Sequence, residues 1–94
     1  MQNFTSLKLL YLSGNQISNI SSLQSLLDLE TLYLSSNPSL SDITPLQNLT
    51  NLKTIFLQDC QVSDITSLQN LTALTWLSLS RNQVTNIASP AKSY

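Results

Sequence analysis

Apolar residues along this chain alternate with polar ones for a few positions, then fall at every third position, and then alternate again. The first copy of the pattern runs Leu7, Leu10, Leu12, Asn15, Ile17, Ile20, Leu23 and Leu26. A second runs Leu29, Leu32, Leu34, Asn37, Leu40, Ile43, Leu46 and Leu49. A third runs Leu52, Ile55, Leu57, Cys60, Val62, Ile65, Leu68 and Leu71, and a fourth runs Leu74, Leu77, Leu79, Asn82, Val84 and Ile87. The Asn or Cys positions stand 22, 23 and 22 residues apart. The extra residue falls in Asn37-Pro38-Ser39-Leu40, and a proline there suggests a loop bulge that leaves the register intact.

Alternation is the signature of a short strand, and it predicts strands near residues 9–13, 31–35, 54–58 and 76–80. A spacing of three suits tight 3₁₀ turns better than a helix with 3.6 residues per turn. Each copy therefore reads as a strand, a turn at Asn and an irregular return. No copy can bury its leucines alone, whereas stacked copies share one continuous core. The expectation is a single array over residues 1–94, with four strands in one parallel sheet lining the inner curve of a short arc.

Composition narrows the function. Leu supplies 20 residues, and Ser, Thr, Asn and Gln together supply 42. Only 10% of residues are charged, 4 basic against 5 acidic, so no basic face is available to bind nucleic acid by counterion release. With no His and one Cys, a zinc site, a Ser-His-Asp triad, a Cys-His pair and an intrachain disulfide are all excluded. The apolar run Leu9–Leu12 is too short to span a membrane, and the start Met1-Gln2-Asn3-Phe4 lacks a basic n-region and an apolar h-region, so no signal peptide is visible in it. With one Gly there is no phosphate-cradling loop. These features predict no catalysis and no cofactor.

The repeat register sorts the remaining residues into columns. Asn15, Asn37, Cys60 and Asn82 form a structural ladder, whose side chains bond the backbone where it leaves each strand. Cys60 has no cationic neighbour in sequence to activate it, so we read it as scaffold. Gln2, Gln24, Gln47 and Gln69 share one slot and are expected on a solvated face. Asp42 and Asp64 share another, flanked by Asn19 and Asn86. Their carboxylates should lie roughly 4.8 Å apart, close enough for acid–base or Ca²⁺ chemistry, but nothing around them suggests a cleft. Lys8, Glu30 and Lys53 alternate in sign and should steady the sheet. Four Asn-x-Ser/Thr sequons, at Asn3, Asn19, Asn48 and Asn70, mark glycosylation only in a eukaryotic secretory setting.

If Leu10, Leu12 and their equivalents face the core, the alternate residues face the concave side. One outward column reads Leu9, Thr31, Thr54, Trp76 and the next Tyr11, Tyr33, Phe56, Ser78. A third reads Ser13, Ser35, Gln58, Ser80, and the rim Gly14, Ser36, Asp59, Arg81. Four of the chain's six aromatic residues lie in the first two columns. A solvent-facing aromatic stripe is costly unless covered or used, and Tyr and Trp are common binding hot spots. The candidate ligand-binding residues are therefore Tyr11, Tyr33, Phe56, Trp76, Gln58 and Arg81. A slip of one residue would turn the stripe inward.

The motif L-x-x-L-x-L-x-x-N/C-x-L, present four times with Cys60 in its Asn/Cys slot, resembles the leucine-rich repeat family. The repeat length, with phrases such as Asp42-Ile43-Thr44-Pro45-Leu46-Gln47-Asn48-Leu49 and Asp64-Ile65-Thr66-Ser67-Leu68-Gln69-Asn70-Leu71, is similar to the bacterial internalin type. The resemblance implies a leucine-rich repeat solenoid of the α/β class. This is a short right-handed arc with a four-stranded parallel sheet on its concave face and 3₁₀ or irregular segments on its convex face. It implies a protein-binding module recognising a protein or glycan ligand, within a bacterial surface or secreted adhesin. The competing readings are a structural spacer in a longer array and an intracellular, cytoplasmic scaffold like the phosphatase-regulating repeats. Met1-Gln2-x-Phe4-x-x-Leu7-Lys8 aligns with Leu46-Gln47-x-Leu49-x-x-Leu52-Lys53, and Pro90 takes the place of a leucine. Both ends are therefore expected to be uncapped, as in a segment of a longer array or in a module that self-associates end to end.

Overall fold

A computed structural model of the chain describes residues 6–84. The features expected at Gln2, Asn3, Phe4, Asn86, Ile87 and Pro90 lie outside the described residues. Four strands, β1 (Leu9–Tyr11), β2 (Thr31–Tyr33), β3 (Thr54–Phe56) and β4 (Trp76–Ser78), form one sheet in the order β1-β2-β3-β4. All neighbours are parallel and in register: Tyr11 pairs with Tyr33, Tyr33 with Phe56 and Phe56 with Ser78. The insertion after Asn37 leaves this register undisturbed, because it closes on itself through a Leu40 N–H bond to the Asn37 carbonyl at 2.9 Å.

Each strand is shorter at its C-terminal end than the five-residue alternation suggests. The inter-strand bonds do continue, from Leu12 N–H to Tyr33, Leu34 to Phe56 and Leu57 to Ser78. One residue later, however, hydroxyls enter the ladder. The Ser35 N–H donates to Ser13 Oγ at 3.1 Å, and the Gln58 N–H donates to Ser35 Oγ at 3.2 Å. The backbone then swings into the left-handed region at Gly14 (φ 73°), Ser36 (61°), Asp59 (59°) and Arg81 (58°), which ends each strand at the same point.

The return segments explain the spacing of three. In the first, Leu23 N–H bonds Ile20, Leu26 bonds Leu23 and Leu29 bonds Leu26, each to a carbonyl three residues back. The same chain of bonds runs Ile43-Leu46-Leu49-Leu52 and Ile65-Leu68-Leu71-Leu74. Every tight turn returns an apolar side chain to the inside. The best-formed turns are 3₁₀ helices at Ser21–Ser25, Thr44–Leu46 and Thr66–Leu68, the second with Pro45 in its first turn, where a missing N–H costs nothing. The core lies between these turns and the sheet. Leu29, Leu32, Leu34, Leu40, Leu46, Leu52, Ile55 and Leu57 are all fully buried within it. Leu7, Leu10, Leu12 and Ile17 of the first copy are only partly buried.

At the Asn corner, Asn37 Nδ2 donates to its own strand end at Leu34 (2.7 Å) and to the previous repeat at Leu12 (3.1 Å), while its Oδ1 accepts the Ile17 N–H (3.1 Å). Asn82 repeats the arrangement on Leu79 (2.9 Å), Leu57 (2.6 Å) and the Val62 N–H (3.0 Å). Each amide joins one repeat to the next through groups the turn would otherwise orphan. Asn15 bonds within its own copy, to Leu12 and Ser13. Cys60 is buried as a free thiol, and burial pushes its pKa up, away from the reactive thiolate.

Candidate binding face of the sheet

The pleat decides which side chains reach the open face. Leu32, Ile55 and Leu77 point inward with no exposure, so their neighbours on each strand point outward. Leu9, Tyr11 and Trp76 are exposed, while Tyr33 and Phe56 are half-buried by their own neighbours. Parallel, in-register pairing places Tyr11, Tyr33 and Phe56 in one row across the strands. Tyr11 and Tyr33 stack with ring centroids 4.2 Å apart and planes 17° from parallel. Tyr33 and Phe56 stack at 4.6 Å and 8°. Such pairs contribute about 0.5–1.5 kcal/mol each beyond their buried area. The Tyr11 phenol beside it, with desolvation in the stack, pushes the Tyr33 phenol above its ordinary pKa.

The row continues in a different way at β4. Sequence alternation places Ser78 on the open face, yet it is buried, while Trp76, one column over, is 47% exposed. The Trp76 indole N–H donates to Ser78 Oγ at 2.8 Å. This bond fixes the indole alongside the serine and brings the fourth aromatic ring to the end of the row. A small residue at Ser78 leaves the room that the large residue two positions earlier uses.

Beside this row, the polar column is internally bonded. Ser35 Oγ donates to Gln58 Oε1 at 3.1 Å, leaving the Gln58 amide N–H groups on the open face. At the rim, Arg81 grips Asp59 of the neighbouring repeat through two bonds, Nε to Oδ1 and Nη2 to Oδ2, the latter at 2.9 Å. The guanidinium holds the Asp59 carboxyl below the usual carboxylate range. Arg81 is largely solvent-exposed and Asp59 partly so, and the pair therefore adds little stability but removes a free charge from the rim. Sequence columns put these two residues side by side, and the opposite charges at adjacent rim positions were the available signal for the pair. On the other flank Lys53 and Glu30 approach to 3.8 Å.

Structure thus brings Tyr11, Tyr33, Phe56, Trp76 and Gln58 onto one surface, with Arg81 at its edge and engaged by Asp59. The Asp42 and Asp64 carboxylates serve elsewhere. Each Oδ1 accepts the backbone N–H and the hydroxyl of the threonine two residues on, Thr44 or Thr66, and so fastens the start of its 3₁₀ turn. Asn19 does the same for Ser21 through the backbone N–H alone. These bonds hold both carboxyls below their ordinary pKa: the Thr44 hydroxyl is the larger cause at Asp42 and the Thr66 N–H at Asp64. Among the described residues no group of three or more Cys, Asp or Glu side chains could hold a metal ion. No helix among them is long and apolar enough to cross a membrane.

A parallel sheet one short strand deep per copy, closed by 3₁₀ returns and an amide ladder, defines a repeat solenoid. The chain belongs to the leucine-rich repeat family: the family model described as leucine-rich repeats (2 copies) matches residues 5–48 and again 50–92. Its fold is that of the internalin-like repeats. Against the crystal structure of an internalin C2 from Listeria monocytogenes the TM-score is 0.89 with 35% sequence identity, over 96% of this chain and 42% of that one. Against an internalin (inlF) from the same species the TM-score is 0.66 with 25% identity, over 96% of this chain and 34% of that one. This chain therefore spans less than half the length of either relative. A search of the curated proteins gives no match.

Proposed function

We propose that the chain is a non-catalytic recognition module whose concave sheet face, centred on Tyr11, Tyr33, Phe56 and Trp76, binds a protein ligand, and that its parent is a bacterial surface or secreted adhesin. One observation carries this reading. Four aromatic rings share one open face although the fold does not need them there, since the buried core holds Leu, Ile and Val with Cys60 and no aromatic side chain among the described residues. Rigid, pre-stacked rings bring contact area at small entropic cost, which is the character of binding hot spots. The Gln58 amide supplies donors beside the row. Glycan recognition is the weaker form of the proposal, because sugars stack on open ring faces and those of Tyr33 are covered on both sides. Similarity to internalins supports the adhesin setting. In a test by binding, Tyr33→Ala with Phe56→Ala should weaken affinity by about 2–4 kcal/mol while circular dichroism stays unchanged. Undiminished affinity in the folded double variant would falsify the assignment.

A further inference from the structure

Tyr11 and Tyr33 are arranged as an oxidisable pair. Their backbones are directly opposite in adjacent parallel strands, and their rings are stacked, nearly parallel, with centroids 4.2 Å apart. Tyr11 is 63% exposed and open to a diffusible oxidant. On the other side of Tyr33 stands Phe56, which has no phenolic hydrogen to give up. Among the described residues, a radical formed on either tyrosine therefore has one phenol stacked on it, and that phenol is the other member of the pair.

We propose that Tyr11 and Tyr33 are a site of intramolecular dityrosine formation under one-electron oxidation, as by a peroxidase acting with hydrogen peroxide. Each phenol loses one electron and its hydroxyl proton. The two tyrosyl radicals then form a carbon–carbon bond between ring positions ortho to the oxygens. The hydrogen on each joined carbon moves to the oxygen of its own ring, which restores both aromatic systems. The chain loses two hydrogen atoms in total, and one molecule of hydrogen peroxide takes them up to become two of water. Contact between the partners in the folded state makes coupling within the chain far faster than coupling between chains at low protein concentration.

The bond would tie β1 to β2. In the first repeat Leu7, Leu10, Leu12 and Ile17 are only partly buried, so a covalent tie there restrains a lightly packed edge of the sheet. The inference rests on the stacking geometry and not on the binding role of the same face.

The test is oxidation of the purified chain by peroxidase and hydrogen peroxide at low micromolar protein, followed by size separation and peptide mass analysis of the monomer. The expected product is a monomer lighter by two hydrogen atoms, with the peptides carrying Tyr11 and Tyr33 joined and dityrosine fluorescence present. Tyr33→Phe keeps the ring and the stack but lacks the phenol, and should lose this signal entirely. Tyr94→Phe, which alters the tyrosine outside the described residues, should keep it. Dityrosine confined to covalent dimers, a cross-linked monomer from Tyr33→Phe, or oxidation of Trp76 with no cross-link would each overturn the proposal.

Discussion

The thiol of Cys60 donates to the carbonyl of Leu34 at 3.2 Å, the same bond to the preceding repeat that Asn37 makes to Leu12 and Asn82 makes to Leu57. What a thiol does not supply is the side-chain oxygen that accepts the Ile17 N–H at Asn37 and the Val62 N–H at Asn82. The equivalent group in the second repeat is the Leu40 N–H, and it has another partner. The inserted residue lets the chain fold back so that Leu40 bonds the Asn37 carbonyl at 2.9 Å. Insertion in one repeat and cysteine in the next are thus two halves of one arrangement. The longer loop supplies its own acceptor, and the slot above it needs only a donor.

That coupling is testable by stability. Deleting Ser39 alone should leave the Leu40 N–H without an acceptor and cost about 1–3 kcal/mol. Deleting Ser39 together with Cys60→Asn restores an ordinary 22-residue loop beneath an ordinary Asn, and should recover most of that loss. Asn37→Cys, which strips the acceptor from Ile17 without a compensating loop, should cost about as much as the deletion. Urea midpoints of the four chains decide it. A double change no more stable than the deletion alone would contradict the coupling.

Backbone strain gives a second expectation. Gly14 has φ of 73°, and a Cβ built there meets nothing within 4 Å, so any cost of Gly14→Ala is conformational and not steric crowding by neighbours. That cost should be roughly 1 kcal/mol. At the equivalent position Ser36 has φ of 61°. Ser36→Gly should relieve strain and stabilise by about 0.5–1 kcal/mol, net of the extra freedom glycine has when unfolded. Equal and opposite shifts in thermal midpoint at the two sites would fit. A Gly14→Ala variant as stable as the parent would contradict it.

Acid should loosen both the 3₁₀ turns and the rim pair. The folded-state pKa values of Asp42, Asp64 and Asp59 lie below the ordinary carboxylate value. A depressed pKa means that the folded state favours the charged form. Its contribution is fully present above the unfolded value, about pH 3.9, and is lost as pH falls through the folded pKa. Stability should therefore be level from neutral pH down to about pH 5 and decline below about pH 4. Asn19 holds the corresponding turn without a charge, so Asp42→Asn with Asp64→Asn should flatten the decline. Thermal melts of both chains across this range are the check. An unchanged acid slope in the double variant would assign the loss to other carboxyls.

Much of this was legible in the leucines. Alternation at Leu32 and Leu34 or Ile55 and Leu57 fixes the side of the sheet that faces inward, because side chains in a strand have a period of two, and the aromatic residues between them follow outward. Spacing of three from Ile20 to Leu29 points to tight turns for the same geometric reason. Other features depend on contacts between repeats that no single repeat encodes. Cys60 and the longer loop after Asn37 are each visible in the sequence, but their link appears only when the loop of one repeat is seen beneath the ladder position of the next. Ser78 was expected outward and is buried because the rotamer of Trp76, fixed by one hydrogen bond, brings the indole alongside it. Left-handed backbone at Ser36, Asp59 and Arg81 was hidden, since only Gly14 among the four carries the residue type that favours it.

The central claim is that the aromatic row on the concave face is the binding surface. The most direct measurement uses the chain as bait and identifies the proteins it retains from extracts and from cell-surface fractions. The dissociation constant of the best-retained partner is then compared between the parent chain, Tyr33→Ala with Phe56→Ala, and a convex-side control, Gln47→Ala with Gln69→Ala. A loss of roughly a hundredfold in the aromatic variant, with the control unchanged, is the expected result. Equal affinity in all three folded chains, or a loss confined to the convex-side control, would contradict it.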